Sequence, residues 1–413
     1  MTASQAMTDI TEAQAMDLDA LALNVVSTPS EYTWQSDALS YLFAAANAAG
    51  FKLFFSFDMT SFGSPIDLIP LLQQYYSNEA YFTYNDLPFV STFYGGNLQN
   101  GYSSPNAYWQ AKYRDALADL NMPTYFVPSF SDSSSTSASN FFANYPVVDG
   151  NFDWDASWPW AGNGKVSVSN TGDATYITTG HAQGKTYMMG ISSLQFKHID
   201  SGQNWYRRGG LNLALRISQV LSLSPDFVEI QTWNDAGESN YIGSIWPQSI
   251  SGTAIPTYTD GYDHSGWQVL MAPFITAYKS GVTDISKVVP TGGASVQGVF
   301  WHATLLTTAT CGGDSLGKPS GSEDMDDVIE VAVLVAAGVN GITVNVYSGE
   351  TMIASYDTVQ GLNAWEVPGM KVGLQRVDVL AADGSVLLSA TGIMSVVADS
   401  NNCNYNPQVV ALV

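Results

Sequence analysis

Asp226-Phe-Val-Glu-Ile-Gln-Thr-Trp-Asn-Asp235-Ala-Gly-Glu238-Ser-Asn-Tyr-Ile-Gly243 sets an apolar, β-branched run against an abrupt polar end. Such a run, bounded by small and turn-forming residues, reads as a short buried strand. Asp235 and Glu238 stand just past its end, beside Trp233, Asn234 and Tyr241. In a βα barrel the strand ends on the C-terminal face carry the chemistry. Two carboxyls at such a place suit glycosidic cleavage, one protonating the leaving oxygen and the other activating water or attacking the sugar. A plainer reading also fits the same residues. Asp is a favoured N-cap, so Asp235 could begin a helical turn while Glu238 is simply solvated.

Similar runs recur upstream, at residues 20–26, 51–57, 88–93, 124–129, 150–155 and 186–192, with 227–233 as the last. Helix-like segments follow several of them, as at residues 34–49. Strands alternating with helices indicate βα units and a parallel sheet. The regularity favours a TIM-type (β/α)8 barrel over a doubly wound sheet. Residues 1–17 place Met7, Ile10, Ala13 and Met16 at three-residue steps, which fits an amphipathic helix. The chain thus opens on a helix that should follow a strand, so the expectation is a barrel lacking its first strand. On that expectation the chain is an N-terminally truncated gene model or isoform.

After residue 281 the pattern changes. Short alternating segments at 328–336, 341–348, 351–357, 373–380 and 386–390, separated by frequent turns, suggest an antiparallel β-sandwich. The division expected is therefore a catalytic barrel over 1–281 and an accessory sandwich over 282–413. The Ser-rich stretch 131–139 falls at a strand end and reads as a substrate-side loop.

Composition narrows the partners. Charged residues make up 12 % of the 413, against roughly 25 % in an average globular chain. Lys and Arg number 14 against 37 acidic residues, a net charge of −23. That balance excludes nucleic acid and anionic membrane surfaces, which require clustered cations. No apolar run approaches the ~20 residues of a membrane span. Met1-Thr-Ala-Ser-Gln-Ala-Met-Thr8 shows neither the basic region nor the apolar core of a signal peptide. Zinc-type ligand spacing, a Walker loop, a dinucleotide fingerprint and a Gly-x-Ser-x-Gly elbow are all absent, which points to no metal and no cofactor. The two cysteines, Cys311 and Cys403, permit one disulfide or two buried thiols.

Further polar residues stand past the strand ends: Asn24, Asp58, Ser131, Asp132, Asp155, Ser192 and Ser193. In a barrel these positions gather at one mouth. Trp154, Trp158, Trp160, Trp205, Trp233, Trp246 and Trp267 crowd the same half of the chain. Aromatic faces suit the apolar faces of sugar rings, although each Trp alone is as well explained by core packing. Trp154-Asp-Ala-Ser-Trp-Pro-Trp160 is too short a loop to bury all three indoles. His264, in Tyr262-Asp-His-Ser-Gly-Trp267, reads either as a sugar contact or as a satisfied structural histidine.

These stretches resemble the fungal α-1,3-glucanases, or mutanases, of glycoside hydrolase family 71. The matching segments are Phe51-Lys-Leu-Phe-Phe-Ser-Phe-Asp-Met59, Asp149-Gly-Asn-Phe-Asp-Trp-Asp-Ala156, Asn204-Trp-Tyr-Arg-Arg-Gly209, Pro225 through Gly243, and Asp263-His-Ser-Gly266. The resemblance implies hydrolysis of α-1,3-glucosidic bonds with inversion, with Asp235 and Glu238 as the catalytic carboxylates. We assign Glu238 as the acid and Asp235 as the base, in an order that could be reversed. Asp58, Tyr94, Asp155, Trp158, Trp233, Asn234, Tyr241 and His264 would bind substrate. It further implies a monomer acting on a polysaccharide outside the cell or in the cell wall. Gly210 and Asn240 depart from the family pattern, which has an acidic residue and a His there. The competing reading is a non-catalytic glucan-binding protein, or an inactive truncated isoform, that keeps the aromatic cleft.

Overall fold

The computed structural model describes residues 1–28, 31–133 and 136–413. Its contacts divide the chain into two compact units. The first comprises Met1–Ser157, Ser169–Gly190 and Pro225–Glu229; the second comprises Trp158–Val168, Ile191–Ser224 and Ile230–Val413.

In the first unit the chain begins with helix α1 (Ala3–Ala15), started by a reciprocal Thr2–Gln5 capping box that satisfies two end N–H groups. Ala6, Ile10 and Ala13 are buried at helical spacing. α1 lies against helix α2 (Thr33–Ala49), with the Gln14 amide donating to the Ala49 carbonyl at 3.2 Å.

The strands, in chain order, are β1 (Ala20–Val25), β2 (Lys52–Asp58), β3 (Thr83–Tyr84), β4 (Leu87–Phe93), β5 (Tyr125–Phe126), β6 (Gly150–Phe152), β7 (Thr186–Ile191), β8 (Gln195–Asp200), β9 (Gln203–Arg207) and β10 (Phe227–Ile230). All seven runs expected from sequence to be strands form them, as β1, β2, β4, β5, β6, β7 and β10. β1, β2, β4 and β5 pair in parallel in that order, and β6, β7 and β10 form a second path. Backbone bonds from Asp149 N to Phe126 O (2.8 Å) and from Phe152 N to Pro128 O (3.0 Å) link the two paths. Among the described residues, β1 and β10 each pair with one strand only. The interior is aromatic: the Phe227 ring meets Tyr84 at 4.9 Å and Phe89 at 5.2 Å, both edge-on.

In the second unit, β11 (Val296–Ala303), β12 (Val328–Val335), β15 (Gly361–Pro368) and β18 (Pro407–Leu412) form one antiparallel sheet. β13 (Thr343–Ser348), β14 (Thr351–Asp357), β16 (Gln375–Leu380) and β17 (Val386–Thr391) form another. Alternation explains the packing. In β13, Val344 and Val346 are buried while Asn345 and Tyr347 are only partly so. One apolar core joins Phe300, Ile329, Val331 and Val333 of the first sheet to Val344, Val346, Val377 and Val379 of the second.

The β8–β9 hairpin has no counterpart in the sequence reading. It turns at Ser201–Gly202, where Gly202 N donates to the Asp200 carboxylate at 2.8 Å. Cys311 and Cys403 are joined by a disulfide.

Candidate active site

The loop after β10 closes on itself through backbone and side-chain rungs. Thr232 N donates to Asn240 O (2.9 Å), Gly243 N to Trp233 O (2.7 Å) and Asp235 N to Thr232 Oγ1 (2.9 Å). Residues 236–238 form a single 3-10 turn, which Asp235 caps: its Oδ1 accepts from Glu238 N at 2.9 Å. The capping reading of Asp235 is therefore realised, and it does not compete with the chemical one. The cap fixes one carboxylate oxygen and ties the Asp235 carboxyl to the Glu238 backbone. The Tyr258 hydroxyl donates to Gly237 O at 2.9 Å and braces the turn.

Glu238 meets one face of the β8–β9 hairpin. Gln195 Nε2 donates to Glu238 Oε2, and Lys197 Nζ lies 3.6 Å from Oε1. In this antiparallel pair Gln195 stands opposite Arg207 and Lys197 opposite Trp205, so all four side chains share one face. The Lys197 ammonium sits 5.1 Å from the Trp205 ring centroid. The Arg207 guanidinium lies 4.3 Å from the Trp160 ring centroid and 5.6 Å from that of Trp158.

Burial dominates the electrostatics of both carboxyls. It pushes Glu238 up to about 7, and the negative charge of Asp235 pushes the same way; Lys197, Gln195 and Arg207 oppose the rise. Asp235 is also raised by burial, against the Glu238 backbone N–H and Lys197. The side chain of Glu238 nevertheless keeps 18 % of its surface exposed, so it is reachable from solvent. Such a pair titrates as a unit, with one proton held well into the neutral range. One protonated and one ionised carboxyl side by side can give and take a proton in one reaction.

The remaining residues singled out from sequence fall in several places. Asn234 is exposed beside the dyad, and the Trp233 indole packs directly against Gly243, where a Cβ would come within 2.3 Å of the ring. Trp158 is 3 % exposed. Tyr241 and His264 are fully interior: their rings stack at 4.1 Å, the Tyr241 hydroxyl donates to Tyr262 O at 2.5 Å, and His264 Nε2 meets Pro407 O at 3.1 Å. Burial lowers His264 to about 4, so it is neutral in its place.

Asp58, Tyr94 and Asp155 belong to the first unit and gather there at the C-terminal ends of β2, β4 and β6. Asp58 pairs in register with Phe93, whose ring stacks on Tyr94 at 4.1 Å and meets Trp154 edge-on at 5.5 Å. Asp58 Oδ1 accepts from Thr60 N (2.9 Å) and Thr60 Oγ1 (2.6 Å), which orients the carboxylate. In the Ser-rich loop, Asp132 accepts from Gly96 N at 2.8 Å, while Ser134 and Ser135 lie outside the described residues. Among the described residues no cluster of His, Cys, Asp or Glu is placed to hold a metal ion.

Gln195, Lys197 and Arg207 were missed as site residues, while Trp205 was singled out only as one of seven tryptophans suited to a sugar face or to core packing. The one sequence signal for the hairpin is its turn, Asp200-Ser-Gly-Gln203.

The family model for glycosyl hydrolase family 71 matches residues 1–413. A glucan endo-1,3-alpha-glucosidase of Schizosaccharomyces pombe is 32 % identical over 388 residues, covering 93 % of this chain and 85 % of that protein. A mutanase of Penicillium rubens is 31 % identical over 406 residues, covering 97 % and 83 %. Among solved structures, a GH99 endo-alpha-mannosidase from Bacteroides thetaiotaomicron superposes with a TM-score of 0.51 at 10 % identity, over 68 % of this chain and 80 % of that one. That likeness is one of fold: an α/β architecture, here followed by a β-rich C-terminal part.

Proposed function

The chain belongs to glycosyl hydrolase family 71 and is a glycoside hydrolase, and we propose that it cleaves α-1,3-glucosidic bonds of a glucan by inversion at Asp235 and Glu238. The substrate reading is supported by the two relatives, which are named a glucan endo-1,3-alpha-glucosidase and a mutanase. The single observation that carries the mechanism is the coupled pair: Glu238, raised to about 7, keeps its proton where most carboxyls have lost theirs.

In the step proposed, Glu238 protonates the glycosidic oxygen as the bond from C1 to that oxygen breaks. Asp235 takes a proton from a water whose oxygen forms the new bond to C1 from the opposite face. The product is the β-anomer, and transfer of the proton from Asp235 back to Glu238 resets the site. Inversion needs the carboxyls ~6.5–9.5 Å apart, leaving room for the water. The capped turn gives the two side chains separate backbone origins from which to diverge. Lys197 and Gln195 would steady Glu238 once it is ionised.

Trp233 and Asn234 are proposed contacts beside the dyad. Asp58, Tyr94 and Asp155, in the first unit, are proposed to bind sugar hydroxyls; Trp158, Tyr241 and His264, buried in the second unit, are not proposed as direct contacts. We further propose a (β/α)8-type catalytic part over 1–281 and an accessory β-sandwich over 282–413. A monomer acting outside the cell or in the cell wall completes the reading. No helix among the described residues is long and apolar enough to cross a membrane.

Proton NMR of the first product from α-1,3-glucan tests the mechanism, with α-1,4- and β-1,3-glucans as comparison substrates. The expected result is β-glucosyl product from the α-1,3-linked polymer alone. An α-anomer released first would mean retention, and equal release from the other glucans would remove the linkage assignment.

A further inference from the structure

Of the Trp158-Pro-Trp160 pair, Trp158 is buried at 3 % exposure, whereas Trp160 has 58 % of its surface exposed. An indole so exposed costs solvation, yet this one is held rather than loose. The Arg207 guanidinium covers one of its faces at 4.3 Å while also lying over Trp158. The segment that follows is tied down at several points: Gly164 N donates to Asp324 at 3.1 Å, Lys165 pairs with Asp326, and Gln219 Nε2 donates to Val168 O at 2.9 Å. The open face of Trp160 is thus a fixed aromatic surface, with the entropy of ordering its loop already met in the free protein.

Its position gives that surface a purpose. Arg207 stands opposite Gln195, the residue that donates to Glu238, and cross-strand partners of this kind have Cβ atoms ~4.5–5.5 Å apart. The dyad and the exposed indole therefore share one face of one hairpin. Flat, weakly charged surfaces of this sort take the C–H face of a pyranose ring, leaving the ring hydroxyls to solvent and polar neighbours.

We propose that Trp160, backed by Arg207, is the stacking platform of a sugar subsite next to the cleavage point. Arg207 is a positioning residue with two effects. It orients the indole, and its positive charge favours the ionised form of Glu238. The inference rests on Glu238 being the acid of an α-1,3-glucan hydrolase and adds the residue that binds the neighbouring sugar.

The test is steady-state kinetics on linear α-1,3-linked glucose oligosaccharides of increasing length, for the unsubstituted protein and for Trp160→Ala, Trp160→Tyr and Arg207→Met. Trp160→Ala should raise KM about tenfold on the longer chains, the weight of one aromatic contact, with a much smaller change in kcat. Trp160→Tyr, which restores an aromatic face, should recover most of that loss. Arg207→Met keeps an unbranched stem but removes the charge. It should raise KM and also move the alkaline limb of the kcat/KM profile upward. Affinity of the same oligosaccharides for Glu238→Gln, with and without Trp160→Ala, reads the platform apart from turnover. A KM and affinity unchanged within about twofold in Trp160→Ala would overturn the platform while leaving the functional reading standing. Absence of any hydrolysis of α-1,3-glucan by the unsubstituted protein would overturn the functional reading, and the platform with it.

Discussion

The two faces of the β8–β9 hairpin carry similar residues and do different work. On the front, Gln195, Lys197, Trp205 and Arg207 face Glu238 and the exposed Trp160. On the back, Phe196 packs edge-on against Tyr258 at 5.5 Å and His198 lies between Asn204 (2.7 Å) and Asp314 (2.8 Å). Arg208, also at the back, binds Glu366 at 2.8 Å and Asp326 at 3.3 Å. On the back face His198 and Arg208 each meet a carboxylate, Asp314 for the first and Asp326 and Glu366 for the second, and substitutions there should read out as stability. The front face leaves a carboxyl pair short of compensation, which raises its proton affinity and keeps it reactive. Polar residues become chemical where their partners run out.

The largest effect that can break this contrast lies at the front. Asp235→Asn and Glu238→Gln should each lower kcat by ~10²–10⁴-fold, the usual weight of a group that transfers the proton. Glu238→Gln should also stabilise the fold at alkaline pH. A carboxyl raised to about 7 in the folded state against an ordinary 4.5 contributes stability that is present at acid pH and lost as pH rises through that window. Melting curves at pH about 4.5 and about 8 should show a higher Tm for Glu238→Gln only at the upper value. A uniform destabilisation would make Glu238 structural.

Next come two changes tied to the back face. The disulfide Cys311–Cys403 closes a separation of 92 residues, and Asp314 both meets His198 and accepts from Cys403 N at 2.7 Å. Cys403→Ser should cost about 2–5 kcal/mol by denaturant unfolding, with activity per folded molecule retained. Arg208→Met leaves Glu366 and the buried Glu330 without the Arg208 charge and Asp326 with Lys165 alone. Since Asp326 and Glu366 are about a third exposed, the cost is discounted to about 1–3 kcal/mol. A selective loss of kcat in either variant, with stability kept, would erase the distinction between the faces.

The smallest effect sharpens it. Lys197→Met removes a positive charge that favours ionised Glu238, so the alkaline limb of kcat/KM should move upward. A downward move would reverse the assigned electrostatics.

What was legible from sequence follows the same division. Short, densely apolar runs such as 20–26 and 186–192 read as strands and all seven formed, the second fully buried and the first only in part. The turn bearing Asp235 and Glu238 was visible because an apolar run stops there so abruptly. The hairpin was not, because Gln195-Phe-Lys-His-Ile-Asp200 puts polar and charged residues on both faces, so the inside–outside contrast that marks a half-buried strand is weak. β18 was missed for a related reason: it opens on Pro407, a residue that demotes a strand. Trp158 and Trp160 show the limit most plainly. Composition required that some indole of that loop stay exposed, but which one depends on Arg207, 47 positions further on than Trp160. Tyr241 and His264 looked like polar contacts beside the dyad, yet their rings stack on each other in the interior, a pairing no spacing rule announces.

The central claim is that Asp235 and burial together hold a proton on Glu238 near neutrality. Infrared titration of the carboxyl stretch, with Glu238→Gln subtracted as the blank, measures it directly in the unsubstituted protein and in Asp235→Asn. The account predicts a Glu238 midpoint of about 7 that falls when the neighbouring charge is removed. A midpoint in the ordinary carboxylate range, unmoved by Asp235→Asn, would contradict it.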